Sequence, residues 1–253
     1  MLASDISEVI RLLDAILADP SLPAQHKLFV AMYRQVTEAV ADGIVRGDFD
    51  DGPRMDRFDT AFANRYLHAL AQYRQGKPLS GAWSVAFQFG ESGDGIVLQH
   101  LLLGMNAHIN LDLAIAAAEV APTGALGLLR DDFERINDLL ASMIDGVQAA
   151  LGAYSPLLDT LDRVGGSADE AVIEFSITRA RAAAWRAAEL LASQTADQRA
   201  HTVSLVDQSV KLLGRSIARP GPLVAAAVQL ISLTESDDVD AIVDRIRSLR
   251  PGR

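Results

Sequence analysis

The stretch GIVLQHLLLGMNAHINLDLAIAAAEV, residues 95–120, decides the reading of this chain. Apolar residues fall on every side of it at helical spacing, as they do in a helix surrounded by other helices. Yet this rod carries Gln99, His100, Asn106, His108, Asn110 and Asp112. At 100° per residue, His100, Gly104, His108 and Asp112 follow one another at four-residue steps and form a slowly drifting stripe, with Gln99, Asn106 and Asn110 on another side. A polar group buried without a partner costs about 1–3 kcal/mol, so each of these must meet a partner or a ligand.

Outward from the rod the same periodicity continues and no alternating β-branched run appears, so the expected fold is all-α. Helices are expected at about 4–18, ending before Asp19-Pro20, then at 24–45 and 54–75. The second presents Phe29, Met32, Tyr33, Val36, Val40 and Ile44 inward, and the third Met55, Phe58, Phe62, Tyr66 and Leu70. GDFDDGP (47–53) reads as a turn, and GKPLSGAWSVAFQFGESGDG (76–95) as the longest irregular segment, with Trp83 as a wall of a site. Further helices are expected at about 124–150, from Pro156 to Gly165, at 168–193 behind a Ser167/Glu170 capping box, and at 197–217, 223–233 and 237–249. The last has acidic residues in its first turn and arginines near its end, which suits the helix dipole. With no repeat or linker in evidence, the expectation is one domain, 1–253: a bundle of about eight to nine helices around a central apolar helix at about 95–120.

Composition narrows the function. The 253 residues are 49% apolar but only 6% aromatic, and the formal net charge is −10. Nucleic acid is therefore not an expected partner, since phosphate binding needs clustered Lys and Arg. Without cysteine, disulfides, thiolate nucleophiles and Cys-ligated metals are excluded. Asp5 and Glu8 interrupt what would be the basic and apolar parts of a secretory signal, and the most apolar runs fall short of a membrane span. A cytoplasmic location follows as the default, and a homodimer is left open.

Candidate chemistry gathers on the rod. His108 and Asp112, four residues apart on one face, have the spacing of two ligands to one metal ion. His100 lies roughly 12 Å from His108 along the axis, which fits a proton carrier better than a ligand to the same ion. Glu38, and Asp59 on the apolar face of the third helix, are the carboxylates best placed to complete a metal set. Glu174, Thr178, Arg181 and Trp185 share a helix face on which Arg181 can hold an anionic substrate or orient a carboxylate, the plain alternative being an intrahelical ion pair with the tryptophan covering its stem. Asn106, Trp83 and Tyr33 complete the expected substrate wall. The bland alternative is a structural hydrogen-bond network along the stripe.

The run LLLGMNAHINLDLAIA (101–116) resembles the signature of a bacterial all-helical family, domain of unknown function 5995. So do MYRQVTE (32–38), RFDTAFANRYLHAL (57–70) and SITRARAAAW (176–185). The resemblance covers most of the chain in order, and it implies a fold and a candidate site without an activity. Glycine followed by His-x-x-x-Asp is also similar to a pattern in zinc-dependent phospholipases C and single-strand nucleases, but the histidine expected shortly afterwards is missing from residues 114–118.

The leading expectation is a metal-dependent, hydrolase-type enzyme for a small, partly apolar molecule, with His108, Asp112 and Glu38 or Asp59 on zinc or iron and with His100 as proton carrier. An iron oxygenase on the same residues, a metal-free hydrophobic-ligand or cyclase-like pocket, and an interaction module with a structural polar core are the alternatives.

Overall fold

The computed structural model describes residues 2–121, 124–158 and 176–249, which form helices α1 (Ile6–Leu17), α2 (Ala24–Arg46), α3 (Gly52–Arg74), α4 (Gly81–Ser92), α5 (Val97–Ala107), α6 (Leu113–Val120), α7 (Leu126–Tyr154), α8 (Ile177–Ala192), α9 (Ala196–Ala218), α10 (Pro222–Ser232) and α11 (Val239–Arg247). No strand occurs among the described residues. The eleven α-helices among the described residues exceed the eight to nine expected, for two reasons: residues 76–95 contain a helix, and a π turn splits the rod in two. The expected helix from Pro156 and the Ser167/Glu170 capping box fall largely or wholly outside the described residues, as does Glu174.

The chain ends of these helices follow local chemistry. Asp5, Asp51 and Asp238 each accept the backbone N–H three residues on, satisfying a donor that has no partner within its helix. Helix α2 stops at Gly47, whose φ of 78° lies in the left-handed region that glycine enters without strain.

Helix α4 lies within the stretch 76–95 that the sequence presents as irregular. It is made by a contact no local window contains: Asp207 of α9 accepts the N–H of Gly81 at 2.7 Å and of Ala82 at 2.9 Å. Ser80 adds the usual cap, and Trp83, Phe87 and Gly90 form the buried face.

The rod runs unbroken from Val97 to Val120 as α5, the π turn His108–Asp112, and α6. Of its most apolar 18-residue window, 83% is buried. Length and composition would let this one helix of the described set cross a membrane, but its burial is equally that of a core helix. It packs against α2, α3, α4, α8 and α9. Gly104 sets the closest approach, since a Cβ there would stand 2.5 Å from Cγ of Phe29 on α2.

The turn between α2 and α3 is pinned to α7 by Asp132. Its carboxylate accepts the backbone N–H groups of Asp50 and Asp51 and pairs with Arg54 and Arg135. Burial alone would raise the pKa of this group, but those four donors outweigh it and hold it below the usual range.

Candidate functional site

Within the rod the Leu113 N–H reaches back to the His108 carbonyl, five residues away, so one residue is added to the turn. Such π turns are rare and concentrate at functional positions. This one carries His108 and Asp112, each 2% exposed.

The Asp112 carboxylate is the anchor. Its Oδ2 accepts the Trp83 indole N–H at 2.9 Å and lies 3.2 Å from His108 Nδ1. Arg65 Nε stands 3.8 Å from Oδ1, and the same guanidinium is 3.6 Å from Glu119. Because this oxygen accepts, Nδ1 of His108 carries the proton in that bond and Nε2 presents its lone pair. Burial pushes the His108 pKa down while the bond to Asp112 pulls it back up; burial wins, which favours the uncharged ring. Nε2 is buried with no hydrogen-bond partner among the described residues.

Aromatic rings hold this imidazole. Phe62 stacks on it at 3.6 Å between centroids and 9° between planes, Tyr33 meets it edge-on at 4.5 Å, and Phe29 lies at 5.5 Å. Beyond them opens a cavity of about 530 Å³ bounded by α2, α3, the rod, α7 and α8. Most of its wall is apolar, including Met32, Val36, Leu101, Met105, Ile136 and Val147. Tyr33, Asp59, His108 and Arg181 are its buried polar members. Two atoms of these residues, Asp59 Oδ2 and His108 Nε2, are buried with no hydrogen-bond partner among the described residues, and the Tyr33 hydroxyl lies within reach of Thr37. Burial, helped by the nearby Asp56 charge, raises the Asp59 carboxyl to about 7. Burial, helped by Asp59, also pushes the Tyr33 phenol well above its usual value.

Arg181 reaches the cavity from α8. Its Nε donates to Asn137 Oδ1 at 2.7 Å, its Nη2 donates to the Phe133 carbonyl at 2.5 Å, and its guanidinium lies 4.2 Å from the Phe133 ring centroid. Burial lowers its pKa to about 10. Its expected neighbour Trp185 sits under Arg130 instead.

Other expected site residues do not join this group. His100 lies against Phe89 and beside a separate void of about 20 Å³ lined by His26, Phe87 and Gly104, where burial pushes its pKa down to about 4. It does not reach the His108 site, because the two histidines stand eight positions apart along the rod, roughly 12 Å at 1.5 Å per residue. The space beside Gly104 is taken by Phe29 of the neighbouring helix α2. Asn106 is not a substrate contact: its Nδ2 donates to the Val210 carbonyl and its Oδ1 accepts from Asn110, tying the rod to α9. Gln99 does the same through the Ile217 carbonyl. Glu38 pairs with Arg34 at 2.5 Å and lines a separate, charged cleft with Asp14 and Arg247. Trp83 supports Asp112 rather than forming the cavity wall. Thus His108, Asp112, Glu38 and Asp59 do not converge, and no three His, Asp or Glu side chains gather to hold a metal among the described residues.

The sequence reading missed Arg65 and the stacking of Phe62. Phe62 had a signal, since it lies on the inner face of α3. Arg65 had none, being one of several charged residues on that helix.

Fold and site together define an all-helical protein in which a buried histidine–aspartate pair borders an apolar cavity. The chain belongs to the family of unknown function DUF5995, whose model matches residues 6–220. No curated protein and no solved structure matches it.

Proposed function

We propose that this protein takes a small, mainly apolar molecule into the cavity beside His108, and that His108 Nε2 accepts a hydrogen bond from a donor group on that molecule. The observation that carries this reading is that two buried polar atoms without a hydrogen-bond partner among the described residues, Asp59 Oδ2 and His108 Nε2, belong to residues lining one largely apolar cavity. Groups left unpaired at such cost are explained if a guest pairs with them. The volume lies within the roughly 300–1,000 Å³ of pockets that hold small molecules. In this reading the rod is the axial helix of the bundle, and its π turn aims the imidazole.

A catalytic role is the second reading, favoured by the chemistry of the pair. A neutral imidazole oriented by a carboxylate is a general base, and a carboxyl titrating near 7, as at Asp59, suits proton transfer at neutral pH. The metal-dependent alternatives have less support, because Asp112 is occupied by Trp83 and His108 and because Glu38 lies elsewhere.

Binding of decan-1-ol and of 1-chlorodecane, measured by displacement of an apolar fluorophore, tests the proposal. Wild type should bind both and favour the alcohol, whose hydroxyl can donate. His108→Ala should reduce that preference roughly two- to ten-fold, the worth of one hydrogen bond. Met105→Trp, which fills the cavity, should abolish both. Binding that Met105→Trp leaves unchanged would overturn the reading, and metal content measured on the purified protein separates it from the metal-dependent one.

A further inference from the structure

We infer that Arg181 is an anion-binding residue and that the guest of the cavity is a small apolar monocarboxylate. The inference rests on the pocket reading above, but on a different wall and different atoms.

Arg181 is 4% exposed and lines the cavity. Its two hydrogen bonds among the described residues go to neutral acceptors, the Asn137 side chain and the Phe133 carbonyl. A guanidinium has five N–H groups, and no carboxylate pairs with this one among the described residues. The nearest acidic neighbour, Glu134, is committed to Arg130 and Asn137. Asn137 thus stands between a charge and its natural partner.

A buried cation held only by neutral acceptors and the face of an aromatic ring is costly, because little replaces the hydration that it has lost. Tying α7 to α8 would need only a neutral donor. The charge is accounted for if an anion arrives with the guest. Arginine presents a planar fork that matches a carboxylate at two points, and Thr178, one turn earlier on α8, lines the same cavity.

The charge count selects among anions. Arg181 is the one cationic side chain among the described residues lining this cavity, and Asp59 lines it as well. A phosphate dianion would be left under-neutralised and would face a carboxyl group, whereas a single carboxylate is matched. The rest of the wall is apolar, so the body of the ligand is hydrocarbon.

The test compares decanoate with decan-1-ol on the full-length protein by isothermal titration calorimetry. Wild type should bind decanoate 10- to 100-fold more tightly, the range expected for a charge-assisted pair over a neutral one. Arg181→Gln should erase that preference and leave alcohol binding within about two-fold. Equal affinity of wild type for the two compounds, with both binding, would overturn the inference and leave the pocket reading standing. Binding of neither would sink both. The wild-type comparison needs no variant, so the test survives even if Arg181→Gln does not fold, and loss of both affinities in a folded variant would mark Arg181 as structural.

Discussion

Asp59 makes stability depend on pH in a direction opposite to that of an ordinary salt-bridged carboxylate. Its carboxyl titrates near 7 in the folded chain because burial opposes its charge, against about 3.8 when unfolded. The folded state therefore holds the proton that the unfolded state loses across this interval, and stability falls as pH rises from about 4 to about 7. The difference of about three pKa units, at 1.36 kcal/mol each, amounts to about 4 kcal/mol at pH 8 and about 2 kcal/mol at pH 5. Asp59→Asn removes the titration while keeping the shape. In urea unfolding followed by fluorescence of Trp83 and Trp185, the variant should gain about 2–3 kcal/mol relative to wild type between pH 5 and pH 8. A difference between the two proteins that stays constant over this range, or a wild type that gains on the variant at alkaline pH, would refute the argument.

Gly104→Ala tests the approach of α2 to the rod. Its Cβ would meet Phe29 Cγ at 2.5 Å and Phe29 Cβ at 2.7 Å, and the latter cannot rotate away from its backbone. Overpacking of about 1–3 kcal/mol should exceed the gain of about 1 kcal/mol in helix propensity, so calorimetry should show a lower Tm. Asp132→Ala strands two backbone N–H groups and two arginines and should cost about 3 kcal/mol in urea unfolding, an unchanged midpoint being the contrary result. Since the pKa of Asp132 is lowered on folding, its stabilisation is present above the unfolded value of about 3.8 and is lost as pH falls further; acid titration of wild type against Asp132→Asn reads this loss. Trp83→Phe removes one donor from Asp112 and should destabilise by about 1.5–3 kcal/mol, with a weaker preference for decan-1-ol over 1-chlorodecane.

Much of the architecture was legible because helical periodicity and caps are local. The turn at Gly47, the inner faces of α2 and α3 and the burial of the rod with His108 and Asp112 all follow from spacing. Helix α4 did not, because the carboxylate that caps it lies over a hundred residues away in sequence. The π turn was hidden as well, since one added residue leaves the helical spacing of the rod's side chains almost unchanged in the sequence. Four-residue spacing grouped His100 with His108, but spacing along a helix says nothing of what lies on either side of Phe29 and Gly104. Asn106 shows the same limit from the other direction: an apolar helix announces that a buried amide needs a partner, not whether that partner is a ligand or the Val210 carbonyl. The aromatic enclosure of His108 draws on α2, α3 and α4 together, so no single window contained it.

The protonation pattern of His108 tests the central claim most directly. In ¹⁵N NMR of the full chain, with the signal assigned by His108→Asn, the account predicts a neutral ring protonated at Nδ1, with an unprotonated Nε2 whose resonance moves when decan-1-ol is added. A ring protonated at Nε2, or a signal that stays fixed while the alcohol binds, would contradict it.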